Sequence, residues 1–158
     1  MIRIGQGFDV HRLAKERALV LGGVKIPYDL GLLGHSDADV LVHSVMDAVI
    51  GALALGDIGK WFPDKDQKYK DADSMKLLAS VLADERVKDW RLVNLDVTVL
   101  AQDPKIAPYV KQMRENLAKV FDVETDAISI KATTTEQLGF TGRGEGMASM
   151  AVVLLEKK

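Results

Sequence analysis

The sequence predicts an α+β fold: a two-layer α/β sandwich in which a mixed four-stranded sheet carries its helices on one face. Three observations lead there. Segments with alternating apolar residues are interspersed with segments whose apolar residues recur at helical spacing. The helical segments are amphipathic, so each has one face to bury. Apolar residues make up 47% of the 158, enough for a sizeable core in one domain, residues 1–158.

Residues 1–8 read as a strand through Ile2 and Ile4, and residues 18–26 as a second, interrupted by Gly22 and Gly23. Residues 37–55 follow as a helix. Ser36 is its N-cap, Asp39 the acid three residues later, and Val42, Val45, Met46, Val49, Ile50 and Leu53 its apolar stripe, with Gly56 closing it. Residues 74–86 form a second helix capped by Ser74, with Leu77, Leu78, Val81 and Leu82 inward. Residues 92–101 alternate Val93, Leu95, Val97 and Val99 with Asn94, Asp96 and Thr98, a strand. Residues 108–121 form a helix opened by Pro108. Residues 128–132 and 147–156 are the closing strands.

Composition excludes several classes. The net charge is −2, which does not favour nucleic acid, whose binders usually present a basic face. No apolar run approaches the roughly 20 residues of a membrane span. The opening MIRIGQG resembles neither a signal nor a transit peptide. Together with the absence of cysteine, this makes a cytoplasmic location the expectation.

The chemistry concentrates near the N-terminus. All three histidines, His11, His35 and His43, fall in one stretch, with Asp9, Asp37 and Asp39 among them. Imidazole and carboxylate are the ligands of a divalent transition metal where thiolate is absent. Asp9 and His11 are two apart, so in a strand both face one side. His43 comes from the helix. Three protein ligands leave a fourth tetrahedral position open, the pattern of a catalytic zinc. His35 stands just before the helix, near the site without ligating. Asp39 suits two roles equally, as a partner of His43 or as a first-turn acid serving the helix dipole.

Three further segments carry chemistry. GDIGKWFPD, residues 56–64, is either an ordinary helix exit with aromatic cover or part of a pocket. AQDPKIAPY, residues 101–109, places Lys105 in a loop after a strand, where it can meet a phosphate or simply be solvated. KATTTEQLGFTGRGEG, residues 131–146, combines Thr133, Thr134, Thr135 and Glu136 with a glycine-rich stretch holding Arg143. Hydroxyls, exposed backbone N–H groups and a guanidinium all hold phosphate oxygens. There is no Gly-Lys-Ser/Thr end, so this is not a P-loop.

Taken together, GQGFDVHRL (residues 5–13), GHSDADVLVH (34–43), GDIGKWFPD, AQDPKIAPY and KATTTEQLGFTGRGEG resemble the 2-C-methyl-D-erythritol 2,4-cyclodiphosphate synthases of non-mevalonate isoprenoid biosynthesis, in that family's order and over the whole chain. The resemblance implies zinc on Asp9, His11 and His43. It implies His35 and Ser36 over the erythritol phosphate, with His35 steadying the transition state. Asp57, Ile58, Gly59, Phe62 and Asp64 would line the methylerythritol pocket. Ala101, Pro104, Lys105, Ile106 and Ala107, with Ala132, Thr133, Thr134 and Thr135, would hold the cytidine diphosphate part, Thr134 also acting on the transferring phosphorus. Glu136 would ligate a second ion, magnesium or manganese. The family is a homotrimer with active sites between subunits, and Phe140 and Arg143 resemble its central cavity, which takes an isoprenoid diphosphate. Asp103 departs from the pattern, standing at a nucleotide-loop position where the family tends to be neutral or basic.

The implied reaction is attack of the 2-phosphate of 4-diphosphocytidyl-2-C-methyl-D-erythritol 2-phosphate on its own β-phosphorus, with release of CMP. The residues alone leave two other readings open: a zinc hydrolase of a nucleotide-linked substrate, and a non-catalytic trimer binding an isoprenoid diphosphate. Neither uses all five blocks.

Overall fold

A long strand, β1 (Ile2–Ala14), opens the chain. The computed structural model describes Met1–Lys158. After β1 come two three-residue strands, β2 (Leu19–Leu21) and β3 (Val24–Ile26), and a third, β4 (Gly31–Leu33). Helix α1 (Val40–Ala52) follows, then the one-turn helix α2 (Ile58–Trp61) and helix α3 (Ser74–Ala83). Strand β5 (Trp90–Leu100), helix α4 (Val110–Phe121), strand β6 (Ile128–Thr133), the short helix α5 (Gly139–Gly142) and strand β7 (Gly146–Lys157) complete the chain.

The main sheet has the order β4-β1-β7-β5-β6. Only β5 and β6 run parallel; the other pairs are antiparallel. The sheet is therefore mixed, as expected, but five-stranded rather than four-stranded. The additional member is β4, a three-residue edge strand that starts at a glycine and has no alternation long enough to read. The 18–26 segment does not join this sheet. Gly22 and Gly23 both take positive φ, 56° and 71°, and turn it into a separate β2–β3 hairpin.

Helix α1 lies directly on β1. A Cβ on Gly5 would come within 1.9 Å of the Ala48 carbonyl oxygen, and one on Gly7 within 2.0 Å of that of Ser44. The absence of side chains there lets two backbones touch, and α1 is buried along nearly its whole length. Helix α3 packs against α1 and α4, and α4 against β6. The core is the layer between these helices and one face of the sheet. The other face has no helical cover. Ile2, Ile4, Phe8 and Val10 of β1 and Met150 and Val152 of β7 stand exposed there, Ile4 at 71% and Phe8 at 51%.

Element limits differ from the sequence reading where a side chain intervenes. The first strand runs on to Ala14, so Asp9 and His11 lie inside it. Helix α1 starts at Val40, not residue 37, because Ala38 adopts a left-handed φ of 57° and Asp39 caps by accepting the Val42 N–H. Helix α3 is capped by Asp73, and Ser74 is its first residue. A 3₁₀ turn, Ala107–Tyr109, takes Pro108 ahead of α4.

Candidate metal and nucleotide site

Strand alternation turns Asp9 and His11 toward the helical layer, and the seating of α1 on Gly5 and Gly7 lowers His43 onto them. Asp9 Oδ2, His11 Nε2 and His43 Nδ1 each lie 3.0 Å from the other two. Donor atoms around a tetrahedral zinc, at about 2.0–2.1 Å from the ion, are roughly 3.3 Å apart, so a small expansion accommodates one.

The hydrogen-bond network makes the case stronger. His11 Nδ1–H donates to the Leu33 carbonyl at 2.9 Å, which leaves Nε2 with a bare lone pair in the neutral ring. The hydroxyl of Ser74 donates to Asp37, so its oxygen accepts from His43 Nε2–H at 3.0 Å. That leaves His43 Nδ1 bare as well. With both rings neutral, two imidazole lone pairs and a carboxylate oxygen converge without a proton among them, an arrangement that a cation, or a proton on His11, satisfies. Burial works against the charges of Asp9 and His11. The hydrogen bonds and charges they exchange outweigh it, holding the Asp9 carboxyl at about 2 and raising the His11 imidazole above its ordinary value.

The Asp39 carboxylate does not meet the His43 imidazole; only its carbonyl accepts the His43 N–H, at 3.0 Å. Its carboxylate accepts the N–H groups of Gly22, Gly23 and Val42, at 3.0, 2.8 and 3.1 Å, which clips the hairpin to the start of α1. Full burial, with the nearby Asp37 charge, raises its pKa to about 6 against those hydrogen bonds. Of its two candidate roles, the helix-terminal one is realised.

A hollow of about 250 Å³ opens over the three ligand atoms, lined by Asp9, His11, His35, Ser36, His43, Ile58, Gly59, Phe62 and Asp64. Met46, Tyr69 and Leu77 complete it; the sequence reading took Met46 and Leu77 for helix core and passed over Tyr69. His35 Nε2–H donates to the Asp66 carbonyl at 2.9 Å, joining it to the loop across the hollow. Asp47 of α1 accepts the Ile58 N–H at 2.8 Å, which fixes the start of that loop. Asp57 does not line the hollow; its carboxylate caps α2 through the Lys60 N–H.

A second hollow, of about 200 Å³, gathers Ala101, Gln102, Pro104, Lys105, Ile106, Ala107, Ala132, Thr133 and Thr134 at the ends of the parallel pair β5 and β6. Gln102 is the residue the sequence reading passed over. Thr135 turns away, donating to the Leu138 carbonyl at 2.6 Å. Glu136 is exposed, with positive φ, and its carboxylate lies 3.4 Å from Thr134 Oγ1. Asp103 does not line this hollow. It faces a third, with Leu13, Tyr28, Thr141 and Arg143. Arg143 pairs with Glu145 at 2.8 Å, and Phe140 lies outside that hollow.

Both main hollows open at the same end of the sheet. Val10, Ala148, Leu100 and Thr133 stand side by side across β1, β7, β5 and β6. Three strand spacings, about 14 Å, therefore separate the metal ligands from the threonines within one chain.

An α+β domain with an Asp-His-His group that could hold a metal ion, and a separate loop pocket at two parallel strand ends, fits the class of metal-dependent enzymes. Comparison with known proteins narrows this. Residues 2–156 match the YgbB family. The 2-C-methyl-D-erythritol 2,4-cyclodiphosphate synthase of Geobacillus kaustophilus is 60% identical over 99% of both chains. The bifunctional IspDF of Campylobacter jejuni superposes with a TM-score of 0.95 at 46% identity, covering all of this chain and 43% of that one. A CDP complex of IspF from Plasmodium falciparum gives 0.85 at 36%, over 99% and 97%. The chain belongs to the YgbB family of 2-C-methyl-D-erythritol 2,4-cyclodiphosphate synthases.

Proposed function

We propose that the protein converts 4-diphosphocytidyl-2-C-methyl-D-erythritol 2-phosphate to 2-C-methyl-D-erythritol 2,4-cyclodiphosphate and CMP, a phosphorus-oxygen lyase reaction of non-mevalonate isoprenoid synthesis. The observation that carries this reading is the pair of hollows at one sheet end, one over the converging donor atoms of Asp9, His11 and His43 and the other lined by Lys105, Thr133 and Thr134.

Asp9, His11 and His43 would hold zinc, and Glu136 a second divalent ion, magnesium or manganese; bound there, the cations supply charge neutralisation and alignment of the phosphate oxygens. The residues do the rest. Ile58, Gly59, Phe62 and Asp64 enclose the methylerythritol. Lys105 and the hydroxyls of Thr133 and Thr134 hold the diphosphate. The attacking 2-phosphate has a second pKa near ~6, so it is largely ionised at neutral pH and no strong base is needed. Attack opens the bond from the β-phosphorus to the CMP oxygen as the new ring bond closes. His35 and Thr134 face the charge that develops on the transferring group. Holding both ends of one flexible molecule makes the attack effectively unimolecular.

The spacing of about 14 Å (three strands) favours assembly of each site from two subunits. The uncovered apolar face of Ile2, Ile4, Phe8, Val10, Met150 and Val152 supports a homotrimer packed through it. An isoprenoid diphosphate near Phe140 and Arg143 at the centre of that trimer rests on family resemblance. No helix is long and apolar enough to cross a membrane.

A phosphorus NMR time course with this substrate, zinc and magnesium tests the reaction. CMP and two coupled cyclic-diphosphate resonances, abolished by EDTA, are expected. CMP with a linear, water-opened product marks a hydrolase instead, and retained metal without turnover marks a binding protein.

A further inference from the structure

Residues 32–36 lead from the end of β4 through a bend at residues 34–36 to the metal hollow, which His35 and Ser36 line. Three of their carbonyls go to a single side chain. Arg17 donates from Nε to the Leu32 carbonyl at 3.0 Å, and from Nη2 to those of Ser36 at 2.9 Å and Gly34 at 3.4 Å. The other two have different partners: the Leu33 carbonyl accepts from His11 Nδ1–H at 2.9 Å, and the His35 carbonyl accepts the Asp71 N–H at 2.8 Å. The Arg17 side chain is only 24% exposed, and its remaining terminal nitrogen lies 3.9 Å from the Asp71 carboxylate.

We infer that Arg17 is a positioning residue for the metal site: by gathering the carbonyls of residues 32, 34 and 36, it fixes the bend that presents the carbonyl of residue 33 to His11 and places His35 and Ser36 at the hollow. The three carbonyls that Arg17 gathers are partly buried and need donors, and they lie on a bending segment whose course a single donor group with three bonds can fix. A planar guanidinium spans three carbonyls from one fixed point; an ammonium is a single compact donor that does not. Arg17 touches neither ligand atoms nor the hollow itself. It acts through Leu33 on the tautomer and orientation of His11, and through the same segment on where His35 and Ser36 stand. The part of this inference concerning His35 rests on the cyclase reading above; the part concerning His11 does not.

The test measures Arg17→Ala and Arg17→Lys in two independent ways. Zinc affinity is read by competition with a chromogenic chelator, without substrate. Turnover is read as kcat and KM, with and without millimolar methylguanidinium. Outer partners of metal-bound histidine are generally worth about 10–100-fold in affinity. Arg17 is one bond further out, so a loss of about tenfold is expected in Arg17→Ala, with kcat falling more than KM rises. Methylguanidinium should restore both, and Arg17→Lys should recover neither fully. Zinc affinity within twofold of the parent in folded Arg17→Ala overturns the inference. So does a loss that follows thermal stability alone and is untouched by methylguanidinium. Where Arg17→Ala does not fold, Arg17→Lys with parental affinity and kcat overturns it as well. A drop in zinc affinity in a protein that never turns over the proposed substrate would fault the cyclase reading and leave the role of Arg17 at His11 standing.

Discussion

Ser74 Oγ sits 3.0 Å from Nε2 of His43, on the side of the ring away from Asp9 and His11. Its own proton goes to Asp37, whose other carboxylate oxygen accepts the Ser74 N–H at 3.0 Å. A half-buried acid at the entrance to α1 thus holds the first residue of α3, and that residue holds the imidazole of a candidate ligand. The relay decides which histidine nitrogen is bare. Ser74→Ala removes it and leaves Ser36 Oγ, at 3.2 Å, as the remaining neighbour of that nitrogen. The expected loss in zinc affinity is about 10–100-fold, with Ser74→Thr close to the parent. Unchanged affinity in the alanine variant would show that the relay is ornamental.

His43→Ala removes a ligand outright. Zinc and activity are both expected to disappear while the far-ultraviolet circular dichroism stays near that of the parent, since the core around α1 is almost wholly apolar. Metal analysis beside the turnover assay checks it. Full activity with no bound metal would refute the ligand assignment.

The seating of α1 makes a separate prediction. Gly7→Ala puts a methyl where the Ser44 carbonyl stands, and a backbone helix cannot yield locally as a side chain does. A cost of at least about 1–3 kcal/mol is expected from overpacking of this kind, read as a lower denaturant midpoint. Because His43 adjoins Ser44, zinc affinity should fall with it. A variant of parental stability would mean that α1 does not rest on β1 at this point.

The pH dependence follows from His11. Burial opposes its charge, but the hydrogen bond and charge of Asp9, with the Leu33 carbonyl and the Asp64 charge, outweigh it and raise the pKa above 6.5. In metal-free protein this contributes stability that is fully present below the unfolded value and is lost as pH rises through the folded one. Zinc needs the ring deprotonated, so its affinity moves the opposite way. The gain in Tm on adding zinc is therefore expected to grow between about pH 6 and pH 8. A gain that does not change over that range would exclude His11 as a titrating ligand.

Much of the metal site was legible because strand alternation and helix spacing are local properties. Asp9 and His11 share a face by period, and His43 belongs to the only long apolar helix nearby. What stayed hidden depends on contacts between distant segments. Ser74 reads in sequence as a cap, and nothing local says that its hydroxyl meets His43 or that its N–H meets Asp37. Asp39 reads equally as a partner of His43 or as a helix-terminal acid until the hairpin glycines are seen to take its carboxylate. The fifth strand, β4, is too short for its pattern to show. Arg17 gave no signal at all, because its partners are backbone carbonyls, which every sequence has.

The uncovered sheet face yields the last prediction. Ile4 is 71% exposed in the middle of an apolar surface shared by β1 and β7, opposite the glycines on which α1 rests. A carboxylate there meets water in a monomer and apolar neighbours in a trimer packed through this face, where burying an unpaired charge is strongly unfavourable. Ile4→Asp is expected to sediment as a monomer, to bind zinc with nearly parental affinity, and to lose turnover. Zinc binding survives because all three ligands belong to one chain. Turnover is expected to be lost because the second hollow lies about three strand spacings away within that chain, and the proposed trimer would bring a neighbour's hollow closer. A monomer that turns over at the parental rate would place the whole active site within a single chain.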